Sequence, residues 1–279
     1  MQSVLITGAS TGIGKACALY LANRGWQVFA GVRKNVDTKK LAASTKNIKP
    51  IQLDVTQPKE IAKAVAAIRE AVGHEGLQGL VNNAGIAIAG PLELLPIKEL
   101  RRQMDVNFFG HVELTQGCLP LLRLGRGRVV NISSISGRVT SPFLVPYSAT
   151  KFALEAFTDG LRRELLPWKL HVASVEPGNI YTPMWRKSLR IADATRRRFP
   201  HPAEALYGAA MEQARRRAID AGTRGIPAED VAQVIYHVLN ARRPRTRYIV
   251  GHGTRLAIWL TRLLPDEWVD WAIGKVLYR

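Results

Sequence analysis

Short runs of β-branched and aliphatic residues alternate with longer stretches of helical periodicity along the whole chain. That alternation constrains the fold more than any single motif. The strand-like runs are 4–6, 28–32, 51–53, 80–81, 128–132, 172–175 and 248–250, and helical segments fall near 13–24, 58–72, 98–121, 148–166 and 227–241. Strand, helix, strand in this rhythm predicts an α/β fold: a doubly wound parallel sheet of about seven strands with helices on both faces. Ligands of such sheets bind beyond the carboxyl ends of the strands, so the functional residues are expected in the post-strand loops. With 279 residues, 47% of them hydrophobic, the chain can bury one substantial core, and a single domain over 1–279 is expected. Residues 186–226 read as an inserted substrate lid between the sixth and seventh strands, and 255–279 as an aromatic C-terminal tail.

No stretch reaches the roughly 18 uninterrupted apolar residues of a membrane span. The first strand begins too early to leave room for a secretory leader, so a cytoplasmic protein is expected. Cys17 and Cys118 lie in helical patterns and read as small buried thiols. The six histidines show no ligand spacing, and no metal is expected. The charge is unusual: 40 Lys and Arg against 22 Asp and Glu give +18. Half of that excess lies in 186–279, including Arg196-Arg197-Arg198 and Arg215-Arg216-Arg217. Such runs usually form solvated faces. With no groove-entering helix or aromatic platform beside them, no specific nucleic acid is expected as a partner. Attraction to phosphorylated substrates or anionic membranes stays open.

The loop Thr7-Gly8-Ala9-Ser10-Thr11-Gly12-Ile13-Gly14 follows the first strand and opens the first helix. Glycine permits a tight turn and close backbone approach to a pyrophosphate, and a helix N-terminus favours its charge. The spacing Gly-x3-Gly-x-Gly departs from the GxGxxG fingerprint, and a plain strand-to-helix turn uses the same residues. A second signal is Ser134 with Tyr147 and Lys151. An i, i+4 pair shares one helix face, so the Lys151 ammonium is expected near the Tyr147 phenol, drawing its pKa down from about 10 toward the working range. Such a phenol gives a proton to a carbonyl oxygen or takes one from an alcohol, and Ser134 can hydrogen-bond the same oxygen.

These pieces, in this order and spacing over about residues 3–185, resemble the short-chain dehydrogenase/reductase family. Residues 7–14 match its TGxxxGxG loop, Asn82-Asn83-Ala84-Gly85 its NNAG motif, Tyr147-Ser148-Ala149-Thr150-Lys151 its YxxxK, and Pro177-Gly178 its PG turn. The resemblance implies a Rossmann-type fold and an NAD(P)-dependent oxidoreductase acting on a carbonyl or alcohol. It makes Ser134 the substrate-orienting serine, with Ser133 the adjacent alternative, and Asn107 the support of a water-linked proton path. Lys151 would also hold the nicotinamide ribose. The implied cofactor contacts are Gly8, Ser10, Thr11, Gly12, Ile13, Gly14, Asp54, Val55, Asn83, Ala84, Gly85, Tyr147, Lys151, Pro177, Gly178, Ile180 and Thr182.

At the tip of the second strand an acidic side chain would bond the adenosine ribose and exclude a 2′-phosphate. Val32 aligns there and Arg33 and Lys34 follow, so NADP(H) is favoured, with NAD(H) the alternative and Asp37 a second candidate for the ribose. Thr11 stands where some NADP-using relatives carry another basic residue. The loops 88–95, 143–145 and 180–185 are largely apolar, making Ser134, Phe143, Tyr147, Met184 and Trp185 the expected substrate contacts. The look of the chain resembles the hydroxysteroid and retinol dehydrogenase branch, implying an apolar carbonyl or alcohol of steroid, retinoid or long-chain type. The competing reading is a non-catalytic dinucleotide-sensing protein. In the tail, Trp259, Trp268, Trp271 and Tyr278 among basic residues suit a cleft cover, a subunit interface or peripheral membrane association. The resemblance further implies a homodimer or homotetramer built from the helices at 98–121 and 148–166.

Overall fold

A computed structural model describes residues 1–251, 258, 261 and 263–277. Seven parallel strands form its centre: β1 (Ser3–Ile6), β2 (Gln27–Val32), β3 (Ile48–Gln52), β4 (Gly79–Asn82), β5 (Arg128–Ile132), β6 (His171–Pro177) and, last in the chain, β9 (Arg247–Val250). Their order across the sheet is β3-β2-β1-β4-β5-β6-β9. The chain therefore winds outward from β1 to β3, returns to set β4 against β1, and winds the other way. The β1/β4 junction is the switch point where such sheets open a crevice.

Helices α1 (Gly12–Ala22) and α9 (Ala228–Asn240) cover one face, where Cys17, Leu21, Val231, Ile235 and Val238 meet the strands. Helices α3 (Pro58–Val72), α5 (Gly110–Leu124) and α6 (Val145–Glu164) cover the other, through Ile61, Ile68, Leu114, Leu122 and Leu161. With both faces buried, strands such as Ser3-Val4-Leu5-Ile6 are apolar without alternation. Each fully buried Leu, Ile or Val contributes about 1.5–3 kcal/mol.

Three elements depart from expectation. Strand β3 starts at Ile48, three residues early, because it is the sheet's edge and an edge tolerates Pro50, which cannot donate to a ladder. A short helix α2 (Asn35–Ala42) fills the connection before it. The long helix expected over 98–121 is divided into α4 (Ile97–Met104), a π-helical turn Asp105–Phe109 and α5. Between β6 and β9 the inserted segment forms two helices, α7 (Pro183–Arg196) and α8 (Pro202–Thr223). Their ends are tied by a two-residue parallel pair, β7 (Ile180–Tyr181) with β8 (Ile226–Pro227). A final helix α10 (Asp266–Leu277) exposes Trp268 and Trp271. Trp259, Tyr278 and His252 lie outside the described residues. No described helix is long and apolar enough to cross a membrane. Both cysteines are buried and unpaired, and burial pushes their thiols upward, Cys118 to about 12.

Candidate active site

Thr7 directly follows β1 and ties two post-strand loops together. Its hydroxyl accepts from the backbone N–H groups of Asn83 and Ala84, each at 2.9 Å, and its carbonyl accepts from Asn83 Nδ2 at 2.8 Å. Gly8 and Gly12 then adopt φ of +64° and +57°, a left-handed region that side chains resist. A Cβ on Gly14 would stand 2.4 Å from both Asn83 Nδ2 and the Gly8 carbonyl. Gly14 thus lets α1 pack against the Asn83 loop and is not on the cavity wall, unlike the expected cofactor contact. Helix α1 begins with no side-chain cap and no acid in its first turn. Its N–H groups are left for an anion brought from outside.

One cavity of about 1170 Å³ runs past this turn and across the carboxyl ends of the strands. Ordinary small-molecule sites span about 300–1,000 Å³. Its walls include Gly8, Ser10, Thr11, Gly12 and Ile13, then Arg33, Asp54 and Val55, then Asn83, Ala84 and Gly85. Pro177, Gly178, Ile180 and Thr182 line it as well. Lys34 does not reach it: it is exposed and stands at the N-cap of α2. Asp37 lies inside α2 and is also off the wall. Val32 is buried and apolar, so no carboxylate stands at the tip of β2, while the exposed Arg33 guanidinium lies 3.9 Å from Asp54. Asp54 caps its own turn by accepting from Thr56 N and Oγ1, and it lines the cavity at the same time. The uncapped glycine turn and a β2 tip that carries Arg33 and no carboxylate of its own fit a dinucleotide carrying a 2′-phosphate.

Deeper in the cavity Ser133, Ser134, Tyr147 and Lys151 line the wall together, and of the two serines it is Ser134 whose hydroxyl acts on the Tyr147 phenol. Ser134 Oγ accepts from Ser136 N–H at 3.1 Å, which leaves its own proton to donate. Ser133 Oγ is buried without a hydrogen-bond partner. Lys151 Nζ sits 5.7 Å from the Tyr147 ring centre and donates to the Ile132 carbonyl at 2.8 Å. The expected lowering of the phenol is reversed: burial raises it, with the Ser134 hydroxyl acting in the opposite direction. Lys151 is lowered to about 8 by its own burial, against the pull of Glu155 one turn further along α6.

The support beneath these groups is polar and buried. Asn107 sits in the π turn, off the cavity wall, accepting from Ile86 N and donating to Ile86 O, both at 2.9 Å. It also donates to Thr150 Oγ1 at 3.0 Å, and Thr150 in turn donates to the Tyr147 carbonyl. Asn107 therefore clamps the loop after β4 to the helix carrying Tyr147 and Lys151. Such π turns recur at functional sites. His111 is fully buried, its Nε2 2.8 Å from the Ala84 carbonyl and its Nδ1 without a partner. Burial, then the nearby Lys151 charge, lowers it to about 3, so it is neutral.

Two arginines and three carboxylates bind the remaining parts. Arg138 grips Glu176 through two bonds of 2.7 and 3.1 Å and reaches Glu155 at 3.4 Å. Arg247 on β9 meets Glu155 at 3.2 Å and also Asp159. Glu155 additionally accepts from Ser174 Oγ. Neither the sequence spacing nor the resemblance singled out this cluster or His111. Glu155 alone could have been found, as the residue one turn after Lys151 on the same face.

Phe143, Met184 and Trp185, the expected substrate contacts, stand on the cavity wall, with Phe143 at φ +66° and its ring edge-on to Tyr207 of α8 at 6.3 Å. Missed were the lining residues of α7 and α8, Leu189, Ile191 and Met211 among them. Which residues of an inserted segment reach the cavity depends on how its helices pack, which local pattern does not encode.

Residues 2–191 match the family model described as short chain dehydrogenase. The NADPH-dependent 3-dehydrocapnine reductase of Ornithobacterium rhinotracheale is 37% identical, covering 100% of this chain and 97% of its own. Retinol dehydrogenase 5 of Mus musculus is 36% identical, over 99% of this chain and 89% of its own. Among solved structures, a short chain dehydrogenase from Burkholderia cenocepacia in complex with NADP superposes with a TM-score of 0.69 at 26% identity, over 95% of this chain and 100% of that one.

Proposed function

The chain belongs to the short-chain dehydrogenase/reductase family, and from that premise we propose that it reduces an apolar ketone or aldehyde with NADPH. The same atoms serve alcohol oxidation in reverse. One observation carries the reading: Ser134, Tyr147 and Lys151 open on the same cavity as the uncapped glycine turn.

The residues that would hold the dinucleotide are Gly8, Ser10, Thr11, Gly12 and Ile13 at the pyrophosphate and Arg33 at the 2′-phosphate. Asp54 and Val55 flank the adenine, and Asn83 to Gly85, Lys151, Pro177, Gly178, Ile180 and Thr182 the nicotinamide half. When bound, the nicotinamide supplies the hydride. The chain's own part is to receive charge and deliver a proton. Ser134 donates to the carbonyl oxygen as it gains charge, in a position preset by Ser136 N–H. Tyr147 gives that oxygen its phenolic proton, and the raised phenol pKa keeps the proton in place at neutral pH. Lys151 lends positive charge beside the phenol, and Asn107 fixes the helix that carries both.

Phe143, Met184 and Trp185 form the apolar part of the pocket and α7 with α8 its lid, which suits a steroid-like, retinoid-like or long-chain carbonyl. NADPH-dependent reduction by the 3-dehydrocapnine reductase relative and retinol oxidation by the retinol dehydrogenase relative both sit within this chemistry. Exposed Phe109 and Phe152 on the α5 and α6 side support a homodimer or homotetramer through those helices. Exposed Trp268 and Trp271, the latter with Lys275 over its ring at 3.7 Å, support peripheral membrane contact from a cytoplasmic enzyme.

The test is a panel of apolar ketones, aldehydes and secondary alcohols assayed with NADPH and with NADH. A charge-assisted contact at Arg33 contributes about 1.5–3 kcal/mol, so NADPH should be preferred by about 10-fold or more, and Arg33→Ala should erase that preference. Equal rates with both dinucleotides would contradict the cofactor assignment. No turnover of any panel member would contradict the reaction.

A further inference from the structure

The basic excess of the C-terminal third has no part in the chemistry above, yet part of it lines the same cavity. Lys187, Arg190, Arg196, Arg215, Arg217 and Arg224 line it, joined by Arg102 of α4, against the carboxylates Asp193 and Asp220. Both carboxylates are already engaged, Asp193 by Arg215 at 3.3 Å and Asp220 by Arg224 at 3.6 Å. Arg102 has Glu99 at 3.2 Å. Lys187 and Arg190, one turn apart on α7, line the cavity with no ion pair among the described residues. The same cavity is lined by the apolar Leu144, Met184, Leu189, Ile191, Phe199 and Met211 as well as by Tyr147. A wholly apolar substrate would use that lining and leave Lys187 and Arg190 unmatched.

Building on the carbonyl-reduction reading, we infer that the natural substrate is an amphiphile: its apolar body carries the carbonyl to Tyr147, and an anionic group of carboxylate or phosphate type meets Lys187 and Arg190 at the mouth. A guanidinium and an ammonium side by side form charge-assisted bonds to such a group and raise its local concentration at the mouth. Because the rim is exposed, the attraction is salt-sensitive.

Calorimetric titration of the NADP⁺-saturated protein tests this, because occupancy of the dinucleotide site removes Arg33 from the comparison. The probes are decyl phosphate below its micelle concentration, decanol and inorganic phosphate. Decyl phosphate is expected to bind about 10-fold or more tighter than either of the others at low salt, a difference of about 1.4 kcal/mol. That advantage should shrink as salt rises, and the exposed double substitution Lys187→Gln with Arg190→Gln should bring decyl phosphate and decanol within about twofold of each other. Decanol binding as tightly as decyl phosphate, inorganic phosphate binding as tightly as decyl phosphate, or a preference intact in the double variant would each overturn the inference. Reduction of apolar ketones without any preference for the anionic probe would sink the amphiphile alone. A clear preference in a protein that turns over no carbonyl would uphold the anion site and contradict the reaction it serves.

Discussion

At the scale of single residues, the account turns on groups whose proton affinity is set by burial. Lys151 carries its charge below about 8 and loses it above. If that charge assists the phenol, kcat/KM for reduction should hold level up to about pH 8 and fall beyond it. Lys151→Arg, which stays charged, should carry the alkaline limb upward, and an unmoved limb in the pH profile would show that Lys151 does not set it. His111 behaves oppositely in its effect on stability. Folded, its ring resists protonation down to about 3, whereas the unfolded chain takes up a proton near 6.5. Its contribution is therefore complete above 6.5 and declines by about 1.4 kcal/mol per pH unit as pH falls from there toward 3. His111→Gln keeps a donor toward the Ala84 carbonyl and removes the titration, so urea unfolding of the two proteins between pH 4 and 7 should give a shallower acid slope for the variant. These residues were unevenly legible. Tyr147 and Lys151 announce themselves by a one-turn spacing, but the direction of the phenol shift does not, because it depends on how closely other atoms crowd its oxygen.

At the scale of elements, helix α6, which carries Tyr147 and Lys151, is held by an ion cluster that joins the loop after β5, the end of β6 and β9. Arg138 is the centre of it, with Glu176 fully buried and Glu155 nearly so. Arg247 stays within 3.5 Å of both carboxylates, so Arg138→Leu leaves them partly compensated and should cost about 1–3 kcal/mol in denaturant unfolding, and a cost under about 0.5 kcal/mol would show the cluster to be incidental. The Phe143 loop makes a different contribution. Its left-handed backbone presents the ring to Tyr207 of α8, linking the cavity rim to the lid. Phe143→Ala should raise KM for a bulky substrate more than it lowers kcat, which steady-state kinetics would register. Strand runs were readable because a sheet buried on both faces demands unbroken apolar sequence, as in β1. Where the pattern misled, tertiary contacts decided. Asn107 exchanges bonds with Ile86 and opens a π turn in what reads locally as one continuous helix. Pro50 shifts β3 only because that strand is an edge.

At the scale of the whole molecule, the strand order brings together groups far apart in sequence. Reversal at β1/β4 sets the Gly8 turn against the Asn83 loop, and β5 and α6 place Ser134 and Tyr147 further along the same crevice. The inserted α7 and α8 then add an apolar wall and a basic rim, features that composition disclosed as a charge excess without revealing where they would face. On the reading proposed above, the one cavity holds the dinucleotide, the proton-transferring groups and the substrate together. The most direct test is the kcat/KM of Tyr147→Phe for NADPH-dependent reduction of the best carbonyl found, measured in protein that still binds NADPH. Loss of the phenolic proton should lower it by about 10²–10⁴. Undiminished turnover would show that the proton comes from elsewhere and would contradict the account.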